Sequence, residues 1–396
     1  MALYEGIALI QEKQAVVLDL GTEYTKFGFT GEAAPRCIVR SEFWCATERR
    51  YKRVHEYSSP DELYDNLVHM LHTLYFRHVL VNPKERKVVV VESLLTPTLF
   101  RETLAKVLFT HYEVSGVVWA DSPRLCALTL GTPITLIVSI GAKEAEVAAV
   151  VHACVVLQAL QAQPLAAHAI HAELARLLDD DNGTTLNLPD HVIEDIKVKT
   201  CFVGSRERAA RWGSEAAPAP ARPVEYPLGR RPAIVVSGRT RELAAEVLFA
   251  KDNEFASLPD IVLQCIMQCP IDTRRALAEN ILVTGGTAEL PGLKARLAQE
   301  LRYLITQPPY DTRLHVRTFK FHASPTPGNS CAWAGGSAAG GAGGVGGAGD
   351  AAGGRALTRD VFARERRLRD WVCLLDNTPP DHPHHQHHQH HQHPDI

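Results

Sequence analysis

A short segment near the start of the chain carries residue types that suit phosphate binding. Ala15–Glu32 has the sequence AVVLDLGTEYTKFGFTGE: four apolar residues lead into Asp19, Gly21 follows, and Lys26 comes just past a turn into a second apolar run. A tight hairpin with backbone N–H groups and a lysine at its tip can cradle phosphate. The segment therefore predicts a phosphate-binding hairpin, with an ordinary structural hairpin as the alternative.

A second candidate lies in Thr284–Gly292, whose sequence is TGGTAELPG. Gly285 and Gly286 follow an apolar run and precede a Pro-Gly helix start. Glycines at such a point let the backbone lie close against a flat ligand. A purely structural turn is the alternative.

Other chemistry-bearing groups have simpler explanations. Cys265 and Cys269 are one helical turn apart without further nearby ligands, which favours core packing. The His-rich end HPHHQHHQHHQH is typical of a low-complexity segment, with metal binding as the alternative. The charged segment RERRLRD predicts a solvated helix face.

Hydrolase and P-loop classes have no support, because the sequence has no G-x-S-x-G, H-E-x-x-H or Walker lysine motif.

The elements that must position these residues alternate between strands and helices. Apolar runs predict strands at Val16–Leu18 and Phe27–Phe29 and within RKVVVVESLL and VSGVVWA. Helical spacing predicts helices in DELYDNLVHMLHTLYFRHVL and TLFRETLAKVLFTHY, and the alternation predicts an α/β architecture. Further along, GSRERAARWGSEAAPAPARPVEYPLGRRP predicts a surface loop, whereas the segment from PDIVLQC to LAQEL predicts helix, helix, strand, Gly-Gly turn and helix.

The strand–turn–strand pattern of the first segment occurs a second time. ITLIVSIGAKEAEVAAVVHACVV begins at Ile134 and places Gly141 at a turn that corresponds to Gly21. A repeat of this kind predicts two related halves, each bringing one hairpin to a shared cleft, with chance similarity as the alternative.

Composition narrows the class of protein. With 396 residues, 45% of them apolar, the chain can bury two cores. A net charge of −3 gives no electrostatic footprint for nucleic acid or an anionic membrane surface. The nine cysteines include no C-x-x-C pair, the N-terminus lacks a signal-peptide pattern, and no apolar run nears the about 20 residues of a membrane span. We expect a cytoplasmic protein without nucleic-acid binding or direct membrane insertion.

Four segments in a fixed order carry a family resemblance. They are DLGTEYTKFGFTGEAAPR, DIKVKTCFV, QCPIDTRRALAENILVTGGTAELPG and WAGGS, and from about Val16 to Ser337 the chain resembles the actin superfamily. The resemblance implies an α/β, two-lobed actin-like ATPase fold with a central nucleotide cleft and a shortened subdomain 2. It also implies ATP or ADP with Mg²⁺ as cofactor.

The resemblance also implies the domain organisation. Residues 1–130 plus 330–339 would form the first lobe, with subdomain 1 and a reduced subdomain 2. Residues 131–329 would form the second lobe, with subdomains 3 and 4. Residues 340–396 would be a Gly-rich linker, a short charged helix and a His-rich tail, largely flexible.

Individual positions match the nucleotide-binding motifs of the superfamily. The resemblance implies that Asp19, Gly21, Thr22 and Lys26 form the first phosphate hairpin and that Gly141 belongs to the second hairpin. It also implies that Gly285, Gly286 and Thr287 form the adenosine-side motif and that Lys197 lies beside the base. Asp19 would also act indirectly on the Mg²⁺ that accompanies the nucleotide.

Other positions depart from the superfamily pattern. Glu23 stands where actins have glycine, Val198 and Asn329 replace residues near the base, and the second hairpin has Ser139 and Ala142 where actins have aspartates. Ser122 replaces the glutamine that orients water. Phosphoryl transfer depends on positioning and electrostatics, so the resemblance implies a bound nucleotide without useful hydrolysis, and no catalytic residue.

Three segments are similar to actin-related proteins of the dynactin complex: LYFRHVLVNPKERKVVVVESLL, FRETLAKVLF and LRDWVCLLDNTPP. The similarity implies a non-catalytic subunit at the filament's pointed end. Its partners would be the filament-forming actin-related protein of dynactin, other pointed-end subunits and, indirectly, dynein. Cys37–Pro60 is much shorter than the docking subdomain of actins, whereas LGTPI and WAGGS, which contribute to the opposite end, are kept. One intact end would allow joining but not further growth.

Two other functions share the fold. One is an ATPase or sugar kinase, which the residues at Ser122, Ser139 and Ala142 disfavour. The other is a nuclear actin-related protein of a chromatin remodeller, although nothing in the sequence resembles a nuclear signal.

Overall fold

Two mixed β-sheets and the helices around them organise the chain. The computed structural model describes residues 14–229, 231–251, 256–341, 356–366 and 368. The strands are β1 Val16–Leu20, β2 Tyr24–Phe29, β3 Cys37–Arg40, β4 Glu42–Cys45, β5 Arg50–Arg53, β6 Lys87–Glu92, β7 Gly116–Asp121, β8 Ile134–Ile140, β9 Ala145–Val151, β10 Cys154–Val155, β11 Gln161–Gln163, β12 Val224–Leu228, β13 Arg231–Val236, β14 Ile281–Thr284 and β15 Leu357–Thr358.

The helices fill the intervals between these strands. They are α1 Pro60–Thr73, α2 Thr98–Lys106, α3 Ser122–Leu130, α4 Ala167–Asn182, α5 Asp190–Thr200, α6 Arg206–Arg211, α7 Gly238–Leu243, α8 Leu258–Gln268, α9 Arg274–Ala278, α10 Leu293–Leu304, α11 Tyr310–Arg313, α12 Cys331–Gly341 and α13 Arg359–Glu365. Short 3₁₀ turns lie at Leu157–Ala159, Glu246–Leu248, Gly286–Glu289 and Gly328–Ser330. No helix in the described ranges is both long enough and apolar enough to cross a membrane.

The first sheet has the strand order β15-β7-β6-β1-β2-β3. Its centre is parallel, because β6 runs alongside both β1 and β7. The continuous run of valines in β6 is buried, as expected for a strand that is covered on both faces. Trp333 of α12 is fully buried against this sheet and donates from Nε1 to the Val17 carbonyl at 3.1 Å.

The second sheet repeats the local arrangement of the first. In the first sheet, β1 and β2 form an antiparallel hairpin and β6 lies parallel to β1. In the second, β8 and β9 form the hairpin and β14 lies parallel to β8. The repeat that the sequence predicts is therefore present in the topology, and the hairpin turns at Gly21 and Gly141 occupy corresponding places.

A small hairpin follows β3, where the sequence predicts a shortened subdomain. Strands β4 and β5 pair from Glu42↔Arg53 to Cys45↔Arg50 and form a separate two-stranded sheet. The chain then enters α1, which begins with the Ser59 side chain accepting from the Glu62 backbone N–H at 3.2 Å. The strands of the interval between β3 and α1 are thus two four-residue segments.

Several local predictions change in the structure. Gly204–Pro232, predicted as a surface loop, contains α6 and β12, and β12 pairs with β13. The helices predicted to reach Leu80 and Tyr112 end in π-helical turns at Leu74–Val79 and Val107–His111. The loop segment is rich in Ala and Pro, and the two helical segments are irregular in their apolar spacing. Tertiary packing rather than local preference therefore determines the secondary structure of these segments.

The boundaries beyond residue 340 also differ from the flexible tail that the sequence predicts. Helix α12 continues through Gly340 to Gly341, and residues 356–366 return to the first sheet. There β15 pairs with β7, and Phe362 of α13 stacks on Phe109 at 4.9 Å between ring centroids. The remainder of the predicted Gly-rich linker and the His-rich tail lie outside the described residues.

Each half has its own buried core. Apolar side chains of β1, β2, β6, β7, α1 and α2 form one, and those of β8, β9, β14, α4, α8 and α10 form the other. Cys265 and Cys269 are fully or nearly fully buried in the second core, which confirms their predicted packing role.

Candidate functional site

A cavity of about 670 Å³ separates the two sheets and is open to the hairpin turns of both. Every residue predicted for the site lines this cavity: Asp19, Gly21, Thr22, Lys26, Gly141, Lys197, Gly285, Gly286 and Thr287. The positions that depart from the superfamily pattern line it as well: Glu23, Ser122, Ser139, Ala142, Val198 and Asn329. The volume lies within the range of about 300–1,000 Å³ typical of small-molecule sites.

The first hairpin is held in shape by its own residues. Asp19 and Lys26 are cross-strand partners, and Lys26 Nζ lies 3.1 Å from Asp19 Oδ2. At Gly21 any Cβ would lie 2.7 Å from the Tyr24 carbonyl oxygen, so the turn requires glycine. Ser41 Oγ donates to the Gly21 carbonyl at 2.6 Å, which ties the turn to the segment after β3.

The Gly-Gly turn lies against the second hairpin. Gly285 has a φ of 95°, and Thr287 Oγ1 donates to the Gly141 carbonyl at 2.9 Å. A Cβ on Gly286 would have no neighbour within 4 Å, so this glycine borders open cavity space. Gly285 is therefore a packing glycine, and Gly286 leaves room for a ligand.

Two helices of the second half bring a buried lysine to the cavity. Lys197 of α5 donates from Nζ to Nε2 of His171 of α4 at 2.8 Å. Burial, with a smaller contribution from the Lys197 cation, lowers the pKa of His171 to about 4, so the imidazole accepts as the neutral form. Burial also lowers the pKa of Lys197. Sequence reasoning missed His171, whose signal is only its place on a helix beside the cavity.

The mouth of the cavity is bridged by a group of charged and polar side chains that we call the cleft-mouth cluster. It joins the first half to the second through Glu23, Tyr24, Arg40, Arg53, His168, Asp190 and Glu194.

Glu23 lies at the centre of the cleft-mouth cluster. His168 Nε2 donates to Glu23 at 3.0 Å, and Arg53 and Arg40 lie 3.3 and 3.8 Å from its carboxylate. The hydrogen bond from His168 lowers the pKa of Glu23, although burial opposes this. Nearby, Tyr24 donates to Glu194 at 3.0 Å. The position where actins have glycine is thus used here for contacts within the protein.

One buried carboxyl group of the cavity wall was also missed. Glu146 of β9 is 7% exposed and accepts a hydrogen bond from Ser93 Oγ of the first half. Burial raises its pKa to about 7, and the Ser93 hydrogen bond opposes the shift. The sequence signal was weak, because Glu146 sits in an otherwise apolar strand.

The residues of this cavity fit a nucleotide. Glycine turns leave room for phosphates and a base, Gly286 borders open space, and three lysines, Lys26, Lys143 and Lys197, line the cavity. Ser122, Ser139 and Ala142 line the wall without a carboxylate or amide group. The wall can bind and orient an anion, and these three positions supply two hydroxyl groups and one methyl group.

A family model for actin matches residues 62–345 of the chain. The chain belongs to the actin family. The match confirms the predicted α/β actin-like fold, and proteins of this fold generally bind nucleotide with Mg²⁺.

Two curated actin-related proteins show the range of the similarity. The chain is 24% identical to Actin-related protein 10 of Dictyostelium discoideum over 401 residues, which cover 83% of this chain and 82% of that protein. It is 25% identical to Actin-related protein 2 of Arabidopsis thaliana over 333 residues, covering 75% of this chain and 84% of that protein. Within the actin family the chain is thus similar to actin-related proteins.

Proposed function

We propose that this chain is a non-catalytic structural subunit that caps the pointed end of the actin-related filament of dynactin. In this role it serves dynein-driven transport along microtubules in the cytoplasm. Its partners are the filament-forming actin-related protein and the other pointed-end subunits. The similarity to Actin-related protein 10 and the dynactin-like segments of the sequence support this proposal.

The observation that carries the capping role is the short hairpin of β4 and β5. A head-to-tail filament needs two different, complementary surfaces on each subunit. Here the interval from Cys37 to Pro60 contains one end of the first sheet and a hairpin of two four-residue strands. Such a segment offers little area for docking into a following subunit, so addition stops at this chain.

The opposite end keeps an exposed loop for joining the filament. Gly131 and Pro133 are exposed between α3 and β8. By contrast, Trp333 and Ser337 of the WAGGS segment are buried against the first half, so that helix supports the end surface from inside. The loop is therefore the part of this end to test.

Two charge substitutions test the asymmetry. Pro133→Lys should weaken binding to filaments of the partner, whereas Tyr51→Lys on the exposed face of β5 should leave binding intact. Electron microscopy of gold-labelled protein should show label at one filament end and no further growth there. Label along filament sides, or filaments of this chain alone with ATP and Mg²⁺, would refute capping.

We further propose that the cavity holds ATP or ADP with Mg²⁺ without turnover. Gly21, Thr22 and Lys26 would hold the phosphates, the Gly-Gly turn and Thr287 would face the adenosine, and Lys197 would lie beside the base. The Mg²⁺ would neutralise part of the phosphate charge. The fit rests on open space at Gly286 and on the fixed glycine turns.

A nucleotide assay tests this second part. Purified protein is denatured, and the released nucleotide is identified and counted against protein. About one nucleotide per chain and no steady phosphate release are expected, since phosphoryl transfer depends on positioned groups and Ser122, Ser139 and Ala142 stand where the superfamily pattern has them. Protein that neither carries nor takes up nucleotide would refute binding, and sustained phosphate release would instead support the ATPase alternative.

A further inference from the structure

The cavity wall contains a buried carboxyl group that the proposed contacts to nucleotide do not use. Glu146 is 7% exposed and lines the cavity, and its hydrogen-bond donor is the neutral hydroxyl of Ser93. Within the described part of the chain, no lysine, arginine or histidine forms an ion pair with Glu146. A buried carboxylate without a cation is costly, so this group calls for a positive partner when it ionises.

The position of Glu146 relative to the hairpins decides what that partner would be. In the register of β8 and β9, Glu146 lies directly opposite Ser139. Opposed residues of an antiparallel pair project to the same face about 4.5–5.5 Å apart, so the Glu146 carboxyl occupies the space beside the short Ser139 side chain. Ser139 lies two residues before Gly141, the turn that faces the first phosphate hairpin across the cavity.

The carboxylate of the first hairpin is already neutralised. Asp19 is paired with Lys26 at 3.1 Å in the first hairpin. Mg²⁺ prefers oxygen ligands and is usually bound by one or two carboxylates together with substrate phosphates and water. Glu146 is thus a buried carboxylate on this side of the cavity for which the described residues provide no cationic partner.

We infer that Glu146 supplies, from β9, the cation-facing carboxylate that Ser139 lacks on β8. The inference rests on the proposed binding of a magnesium nucleotide and deepens it by naming the residue of this chain that faces the cation. Ser93 orients the carboxyl from the first half, so the two halves both contribute to the cation side.

The test measures nucleotide affinity with and without magnesium. A fluorescent ADP analogue is titrated into the full-length protein in MgCl₂ and in EDTA. Wild type should bind the analogue at least about tenfold more tightly in MgCl₂ than in EDTA. For Glu146→Gln the affinities in the two buffers should differ by less than about threefold. Gln keeps an acceptor for Ser93, and thermal unfolding followed by circular dichroism confirms that each variant is folded.

Two further variants make the test specific. Glu144→Gln removes a carboxylate at the edge of the same cavity and should keep the wild-type magnesium effect. The double variant Ser139→Asp with Glu146→Gln places the carboxylate on β8 instead of β9 and should regain the magnesium effect of wild type.

The outcomes separate this inference from the proposed function. An unchanged magnesium effect in Glu146→Gln, or equal losses in Glu144→Gln and Glu146→Gln, would overturn the inference. Wild type that binds equally well in MgCl₂ and EDTA would overturn it too while nucleotide binding stands. Wild type that binds in neither buffer would overturn both.

Discussion

Replacing Gly285 by alanine separates the packing role of the Gly-Gly turn from its role in ligand binding. Gly285 has φ 95° and ψ 160°, a region that only glycine adopts readily. A Cβ there would lie 2.2 Å from the Ile140 carbonyl oxygen and 2.7 Å from its carbon. Both atoms belong to the second hairpin, so the backbone itself must move.

The magnitude follows from two terms. A non-glycine residue in this backbone region costs about 1–3 kcal/mol. Overpacking against a rigid neighbour costs about 1–3 kcal/mol more. Gly285→Ala should therefore destabilise the protein by about 2–6 kcal/mol, a large share of the about 5–15 kcal/mol that stabilises a typical domain.

Gly286→Ala is the matched control. Its Cβ would meet nothing within 4 Å, so we expect a change in unfolding free energy of less than about 0.5 kcal/mol. The same methyl group intrudes into the cavity and should weaken nucleotide binding. Urea unfolding followed by circular dichroism compares the two variants. If both unfold at the wild-type midpoint, the packing argument for Gly285 is wrong.

Two further predictions concern contacts between distant segments. Glu23→Gln should lower stability by about 1 kcal/mol at pH 7, since several partners of Glu23 are partly exposed. The folded pKa of Glu23 is lowered, so its contribution to stability is fully present above the unfolded pKa and is lost as the pH falls through the folded pKa. A difference from wild type in urea unfolding that is as large at pH 3 as at pH 7 would contradict this. Arg359→Ala removes hydrogen bonds to the Val114 carbonyl at 3.2 Å and to Glu85 at 2.9 Å, and should cost about 1 kcal/mol and speed amide exchange in β7. Arg364→Ala, exposed on the same helix, is its control, and equal exchange rates in the two variants would argue against the role of Arg359.

The features that sequence could predict are local ones. The hairpin from Asp19 to Lys26 and the Gly-Gly turn depend on residues that are close in the chain, so residue type and spacing were enough to find them. The repeated hairpin at Gly141 was predicted for the same reason. Once these turns were placed at strand ends, a shared cleft between two halves followed from the architecture.

The features that sequence could not predict depend on contacts between distant segments. Glu23 and His168 are 145 residues apart, and nothing local marks either as a partner. The role inferred for Glu146 depends on the strand register that places it opposite Ser139 and on the hydrogen bond from the Ser93 hydroxyl of the other half. Short irregular elements such as β12 were missed because their pairing partner, rather than their composition, stabilises them.

The pairing of β15 with β7 has a consequence for the order in which the chain folds during synthesis. The second half is built from one continuous stretch that ends before α12, so its core can close while the ribosome is still translating. The first half must wait for α12 and for β15, which arrive last although β1 emerges first. We therefore expect chains that end after Asn329 and are released from the ribosome to protect the second half from protease and to leave the first half open to cleavage.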